Sequence, residues 1–576
     1  MEFLKNPVIF NDLLNSLNLH DKIYEALSKD DFTEAVLAIS KVFENTNKFP
    51  PLKINRKSAR KSDLYRSDGN IAFKQRNYQR AQEFYNKALL MAPIHSESLV
   101  LAYSNRSALF YQVGCFEACL NDINTCLKMN CPPKIIAKLI QRKNKAEPHA
   151  IAEKLSNPIR QKVLSQEYLS LKSKNVYIPC ASTDIEARVD NCKLPKLIAT
   201  NNVKVGEVIA VEKAFVSALH LSELNTSCYY CHKMNLNLIP CDNCCVAMFC
   251  DETCKTSCMS DYHSIECKVL DICHILQPQL QLALKAVIKL KNVLNTWEKL
   301  NEESLHLGLN RIKHSKINEI YDGENIISML SFKDDDVFIY GQFHNILYES
   351  GLVIHYLNQT NSFFPSNNVL KYAAICGFSR LFIYFSMHMR STLLRDSISS
   401  TISHQISIKG KENFGAFALL GKIKHSCNPN VMVVSLNNKA VLVTIQPLEE
   451  GTELSISYLG HRIEINMRNT QWKICLFHIK VVCKRTCTVC NGREPSEPIL
   501  QEKHKRVLRN LENLNVMTYL EDGHFREGFS KCSEALSVMS DVPHSKQYGK
   551  VYNLFRRHIL YLQNVYCSNV TLMECN

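Results

Sequence analysis

Eight metal-type side chains crowd one short window of this chain: Cys228, Cys231, Cys241, Cys244, Cys250, Cys254, His263 and Cys267, spaced CxxC, CxxC, CxxxC and HxxxC. A segment so short cannot hold itself together by apolar burial. These donors therefore constrain its fold to two closed tetrahedral zinc sites, whose binding free energy is folding free energy. Buried cysteines at chance spacing are the competing reading, and four ligand pairs at knuckle or helical spacing argue against it. Cys245 and Cys258 fall outside the ligand pattern.

The metal reading presumes a reducing compartment. At 576 residues, 46% hydrophobic and 22% charged, the chain has the composition of a soluble protein of several domains. No apolar run approaches the roughly 18 residues of a membrane span, and the N-terminal stretch is amphipathic with acidic residues, unlike a secretory signal. A cytoplasmic and nuclear protein with no membrane contact is expected, where 25 cysteines serve metal better than disulfides. The net charge of +14 is spread widely and reads as solvated helix faces, so nucleic acid is not an expected partner.

Residues 1–60 read as short helices ending at Pro50 and Pro51, followed by a basic linker. Residues 61–150 form a helical repeat. Its first unit carries Gly69, Tyr78, Ala81, Tyr85, Ala88 and Pro93, which resembles the tetratricopeptide signature; the second is looser, with Phe116, Cys119, Ile123, Cys126 and Pro132. Strand-like sequence at 176–227 stops at the cysteine window, 228–267. A helical stretch follows at 268–404, and strands resume at 405–460 with turn signals near Asn437, Asn438 and Gly451. Residues 461–495 contain "CKRTCTVC", and 496–576 read as helices. A β domain is thus interrupted by insertions.

The ligand order and the Phe249–Cys250 pair resemble the MYND zinc finger, whose ligands interleave. The resemblance implies Cys228, Cys231, Cys250 and Cys254 on one zinc and Cys241, Cys244, His263 and Cys267 on the other, with a peptide as partner. Such a finger inserted in a β domain that resumes with "HSCNPN" and then "ELSISY" resembles the SET and MYND domain family of protein lysine methyltransferases, in its tetratricopeptide-bearing branch. The implied fold is a multidomain α+β protein: tetratricopeptide helices, a β-rich SET domain split by the finger and a helical insertion, a post-SET zinc site, and C-terminal helices. The resemblance also implies a third zinc on Cys427, Cys483, Cys487 and Cys490. The spacing between Cys483 and Cys487 is longer than the family's. Cys427 as a nucleophile is the alternative, and it lacks the positioned base that catalytic thiols need.

By the same resemblance S-adenosylmethionine is the cofactor and a protein lysine the substrate. Tyr458 would orient the amine in the channel, and Lys196, Lys424, His425 and Phe417 would line the cofactor side. Three departures stand against this. The glycine-rich turn is "LPK" at Leu194 to Lys196, so the glycines that permit close backbone approach are missing and Pro195 lacks an N–H donor. Lys424 replaces an asparagine, bringing a cation towards an ammonium and a sulfonium. Ile479 and Val481 stand where aromatic residues wall the active site.

"RSDGNIAFK" and "YSNRS" resemble the carboxylate-clamp type of tetratricopeptide domain, which holds the acidic tails of Hsp90 and Hsp70 chaperones. The clamp positions map to Arg66, Asn70, Asn105, Lys138 and Arg142, and cations with amide donors suit a peptide carboxylate. Lys138 and Arg142 as a merely solvated helix face is the competing reading. Two functions follow as expectations: a lysine methyltransferase, or a non-enzymatic adaptor on a degenerate SET scaffold that links chaperone or other acidic tails to a finger-bound partner.

Overall fold

The structure is a computed structural model that describes residues 34–40, 57–156, 167–189, 195–273, 278–309, 340–360, 363–401, 414–426, 428–457, 498–512, 524–543 and 545–567. The helical repeat comprises α1 (Ala59–Lys74), α2 (Tyr78–Met91), α3 (Glu97–Gln112), α4 (Phe116–Leu127) and the longer α5 (Pro133–Ser156). Ser58, Asn77 and Ser96 start the first three helices by accepting the N–H of Lys61, Arg80 and Leu99, which satisfies donors the helix itself leaves open. Ala92 is extended, as a residue before proline prefers, and ends α2 at Pro93. Gly114 turns the chain from α3 to α4 at φ +80°.

Small residues at three of the signature positions allow the first two helices to pack closely. Ala81 and Ala88 are wholly buried. Gly69 is required because a Cβ there would lie 2.5 Å from the Tyr85 ring. Gly69→Ala is expected to cost about 1–3 kcal/mol through overpacking of α1 on α2, measured by urea denaturation; an unchanged midpoint would mean that the Tyr85 ring yields freely.

Strands from both sides of the cysteine window build the β domain. These are β1 (Ile185–Val189), β2 (Pro195–Ala199), β3 (Val208–Lys213) and β4 (Val216–Ala218) before it. The finger contributes β5 (Ile239–Pro240) and β6 (Met248–Phe249). After the window come β7 (Phe414–Ala416), β8 (Lys424–His425), β9 (Val431–Leu436), β10 (Lys439–Thr444) and β11 (Ser455–Ile456). The three-stranded sheet has the order β3-β10-β9, antiparallel, and β4 pairs with β7. Segments more than two hundred residues apart thus close one domain, as the split reading requires. The expected turns sit at Asn437 (φ +57°) and Gly451 (φ +85°).

Between the halves run α6 (Glu252–Cys258), α7 (Ser264–Cys273), α8 (Pro278–Leu294), α9 (Trp297–Leu309), α10 (Tyr340–Gln359) and α11 (Asn368–Thr401). The sequence expectation of no span-length apolar run needs correcting here. Asn368–Ser386 of α11 is long and apolar enough to cross a membrane, yet 61% of that stretch is buried. Phe378, Leu381, Phe382 and Phe385 supply a core facing α8 and α9. The C-terminal helices α12 (Glu502–Glu512), α13 (Phe525–Val538) and α14 (Lys546–Cys567) share a second core with β9 and β10.

One apolar core runs without a break from the helical repeat through the finger into the inserted helices. At the junction Arg106, fully buried, makes a bidentate pair with Asp122 (2.8 and 2.8 Å) and donates to Asn86 (2.7 Å) and to the carbonyl of Leu238 in the finger (2.9 Å). Asn237 of the finger donates to Asp122 (2.9 Å) and to the Ala118 carbonyl (2.8 Å). Buried charges persist only when paired and fully hydrogen-bonded, and this cluster ties repeat to finger.

Candidate metal centres and cofactor face

The β5–β6 hairpin and α6 bring the eight predicted ligands into two groups, each within 4.8 Å across its donor atoms. One holds Cys228, Cys231, Cys250 and Cys254; the other Cys241, Cys244, His263 and Cys267. These are the two sets that the resemblance to the MYND finger implies. Its local causes are visible. The N–H groups of Asn243 and Ala247 point at Cys241 and Cys244 sulfurs (3.4 Å each), as in a zinc knuckle, and Asp251 caps α6 by accepting the Cys254 N–H (2.7 Å). Thiol hydrogen bonds from Cys231, Cys250 and Cys254 push Cys228 far below the ordinary thiol range, and those from Cys244 and Cys267 do the same to Cys241. Four-thiolate and three-thiolate, one-imidazole donor sets fit zinc. Cys258 stands apart, its thiol pushed up to about 12 by burial.

The second centre has a buried support that ligand spacing does not reveal. His263 faces Cys244 through Nε2 (3.6 Å), and its Nδ1 lies 3.0 Å from Glu266 Oε2. Glu266 accepts the Tyr229 hydroxyl (2.9 Å), and Lys285 Nζ of α8 lies 3.6 Å away. Burial opposes ionisation of Glu266, but the Lys285 ammonium and the His263 and Tyr229 hydrogen bonds outweigh it and hold the carboxyl below its usual range. Lys285 also donates to the Ser217 carbonyl of β4 (2.8 Å) and lies over the Tyr229 ring at 4.4 Å. One turn on, Lys289 reaches the Phe215 carbonyl and Asp261 (both 3.1 Å). Two lysines of α8 therefore pin the finger to the β domain. A carboxylate behind a metal-binding histidine fixes its tautomer and raises its basicity. Glu266→Gln is expected to weaken zinc binding about 10–100-fold, read by competition with a chromophoric chelator; wild-type affinity would remove Glu266 from this role.

The clamp positions come together only in part. Asn70 and Asn105 meet, with Asn105 Nδ2 2.8 Å and the Tyr85 hydroxyl 2.9 Å from Asn70 Oδ1. Arg66 pairs with Asp63 in the same helix (3.2 Å), and Lys138 is exposed on α5. Arg142 donates to the Ser104 carbonyl (3.0 Å) and the Ser107 hydroxyl (2.6 Å), so it braces α5 on α3.

In the β domain the loop containing "HSCNPN" runs beside the strand that leads to Tyr458. β8 pairs parallel with β11, Lys424 opposite Ser455 and His425 opposite Ile456, and Ser426 N–H donates to the Ile456 carbonyl (2.9 Å). Asn430, 9% exposed, locks the crossing by accepting the Ser455 N–H (2.8 Å) and donating to the Glu453 carbonyl (2.9 Å). Beneath, the buried Glu212 carboxylate accepts the N–H groups of Leu419 (2.8 Å) and Leu420 (2.9 Å). Burial raises its pKa to about 7 and lowers that of the adjacent buried Lys422 to about 7.

Lys424 does not stand as an isolated cation. Its Nζ is 2.6 Å from Glu453 Oε2, and Lys196 Nζ is 3.7 Å from the same oxygen. Phe417 is 6% exposed, packed in the interior against Gly415. Cys427, Tyr458, Cys483, Cys487 and Cys490 lie outside the described residues, as do Ile479 and Val481.

The SET domain family matches residues 196–459. Curated relatives include "Protein-lysine N-methyltransferase SMYD4" of Pongo abelii, 20% identical over 526 residues, and of Homo sapiens, 22% identical over 528; each match covers 71% of this chain and 65% of the relative. The chain thus spans about 65% of the length of these relatives. "Heat shock protein STI1" of Saccharomyces cerevisiae is 38% identical over 69 residues, 12% of this chain and 11% of that protein. The chain thus carries a SET domain closed across an inserted segment that gathers two four-ligand groups, and over most of its length it is similar to SET- and MYND-type protein-lysine methyltransferases.

Proposed function

We propose that the chain is a protein-lysine N-methyltransferase using S-adenosylmethionine, with its helical repeat and zinc finger serving as protein-binding modules. The crossing of β8 with β11 carries this reading, because it sets the "HSCNPN" loop against the strand that enters Tyr458. Lys196, Lys424 and His425 would hold the cofactor, which when bound supplies an electrophilic methyl group. The protein's own part is to exclude water and align a neutral lysine amine, where proximity and orientation supply most of the acceleration. Tyr458 would accept the amine's hydrogen bond and aim its lone pair. Cys427 with Cys483, Cys487 and Cys490 would form a third zinc site.

The charge of Lys424 is offset by Glu453, which favours the enzyme reading over a scaffold that repels its cofactor. Pro195 remains a lost donor and favours the adaptor reading. Calorimetric titration of the zinc-loaded chain separates the two: micromolar S-adenosylmethionine binding is expected, and no heat at high micromolar cofactor would leave the adaptor. For the repeat, the Asn70–Asn105 pair and an exposed Lys138 on α5 support a clamp for an acidic chaperone tail, and the likeness to a heat shock protein supports the same class of partner.

A further inference from the structure

We infer that Glu453 is a cofactor-binding residue, and that Lys196, Glu453 and Lys424 together recognise the amino-acid end of S-adenosylmethionine. The inference rests on the methyltransferase reading and extends it to a residue outside the expected cofactor set. Glu453 sits where three stretches meet. Its backbone bridges Ile198 of β2, Leu454 N–H donates to the Leu197 carbonyl (2.8 Å), and two residues on begins β11, paired with β8. The carboxylate is thereby fixed between the two stretches that carry Lys196 and Lys424.

Both ammonium groups lie nearest the same carboxylate oxygen, Oε2. The other, Oε1, accepts no hydrogen bond among the described residues, and the Glu453 side chain is 23% exposed. The site thus offers an anionic oxygen with hydrogen-bonding capacity to spare, flanked by two partly exposed cations. The amino-acid end of the cofactor presents the complementary pattern, an ammonium beside a carboxylate. Glu453 Oε1 would accept from the ammonium, and the lysines would face the carboxylate. Charge-assisted bonds of this kind are roughly twice as strong as neutral ones. Where an asparagine offers one neutral contact, this chain then has an ion-paired device, and Lys424 is part of binding rather than an obstacle to it.

The test titrates the zinc-loaded chain with S-adenosylmethionine, S-adenosylhomocysteine and 5′-methylthioadenosine, which lacks the amino-acid end. Glu453→Gln keeps the side-chain volume and an acceptor for Lys424. It is expected to weaken the first two ligands about 10–100-fold, the loss of one bond to a charged group, and to leave methylthioadenosine unchanged. Lys424→Met, which spares Glu453, is expected to weaken both full-length ligands as well. Wild-type affinity in Glu453→Gln, tighter binding by Lys424→Met, or an equal loss of methylthioadenosine overturns the inference while leaving the enzyme reading intact. A wild-type chain that binds none of the three overturns both.

Discussion

Cys241→Ser is expected to cost the protein one bound zinc and most of its cooperative stability. The finger has little apolar interior of its own: Leu238, Met248 and Phe249 are fully buried, but in the core that continues into the helical repeat. Structural zinc contributes an apparent ~10–16 kcal/mol to folding in isolated fingers, as large as the whole stability margin of a typical domain. Loss of one thiolate from the buried second centre removes His263 and Glu266 from their network. The damage should spread to β4 and the repeat through Lys285 and the shared core. Metal analysis paired with thermal unfolding checks this. One zinc fewer than wild type with a midpoint many degrees lower is expected, whereas full zinc content, or an unchanged midpoint, would show that the cysteines only pack.

Arg106→Met ranks second in expected effect. The guanidinium is wholly buried, and its loss leaves Asp122 charged in the interior with only the Asn237 amide, and leaves the Asn86 and Leu238 oxygens without their donor. Breaking one side of a buried pair typically costs about 3–5 kcal/mol, while replacing both partners with apolar groups of similar volume can be nearly neutral. Urea denaturation should show that loss for Arg106→Met and a partial recovery when Asp122→Leu is added. Limited proteolysis should cut first between α5 and the finger. Equal stability of wild type and Arg106→Met would contradict the tie between the two modules.

What the sequence made legible follows from how local each requirement is. The metal ligands could be read because tetrahedral coordination imposes short fixed spacings, and Gly69 with Tyr85 because repeat helices pack in one register. Asn437 and Gly451 announced their turns by chemistry alone. The unread residues depend on contacts made far along the chain. Lys285 lies on an amphipathic helix where a lysine reads as a solvated face, yet it is buried against Glu266 and Ser217. Arg142 reads as a clamp cation but is held by Ser104 and Ser107. Lys424 reads as an electrostatic fault because its partner, Glu453, stands 29 residues away and meets it only across the β8–β11 crossing. Glu266 had one signal that was readable: a carboxylate three residues after the ligand histidine, on one helix face.

Methyl transfer itself tests the central claim most directly. Zinc-loaded chain incubated with S-adenosylmethionine labelled on the methyl group and with cell protein is expected to place label on lysine side chains, recovered as methyl-lysine after hydrolysis, and Tyr458→Phe is expected to abolish most of it. Label absent from lysine with wild-type protein that retains its zinc and its cooperative unfolding would contradict the enzyme and leave the scaffold as an adaptor.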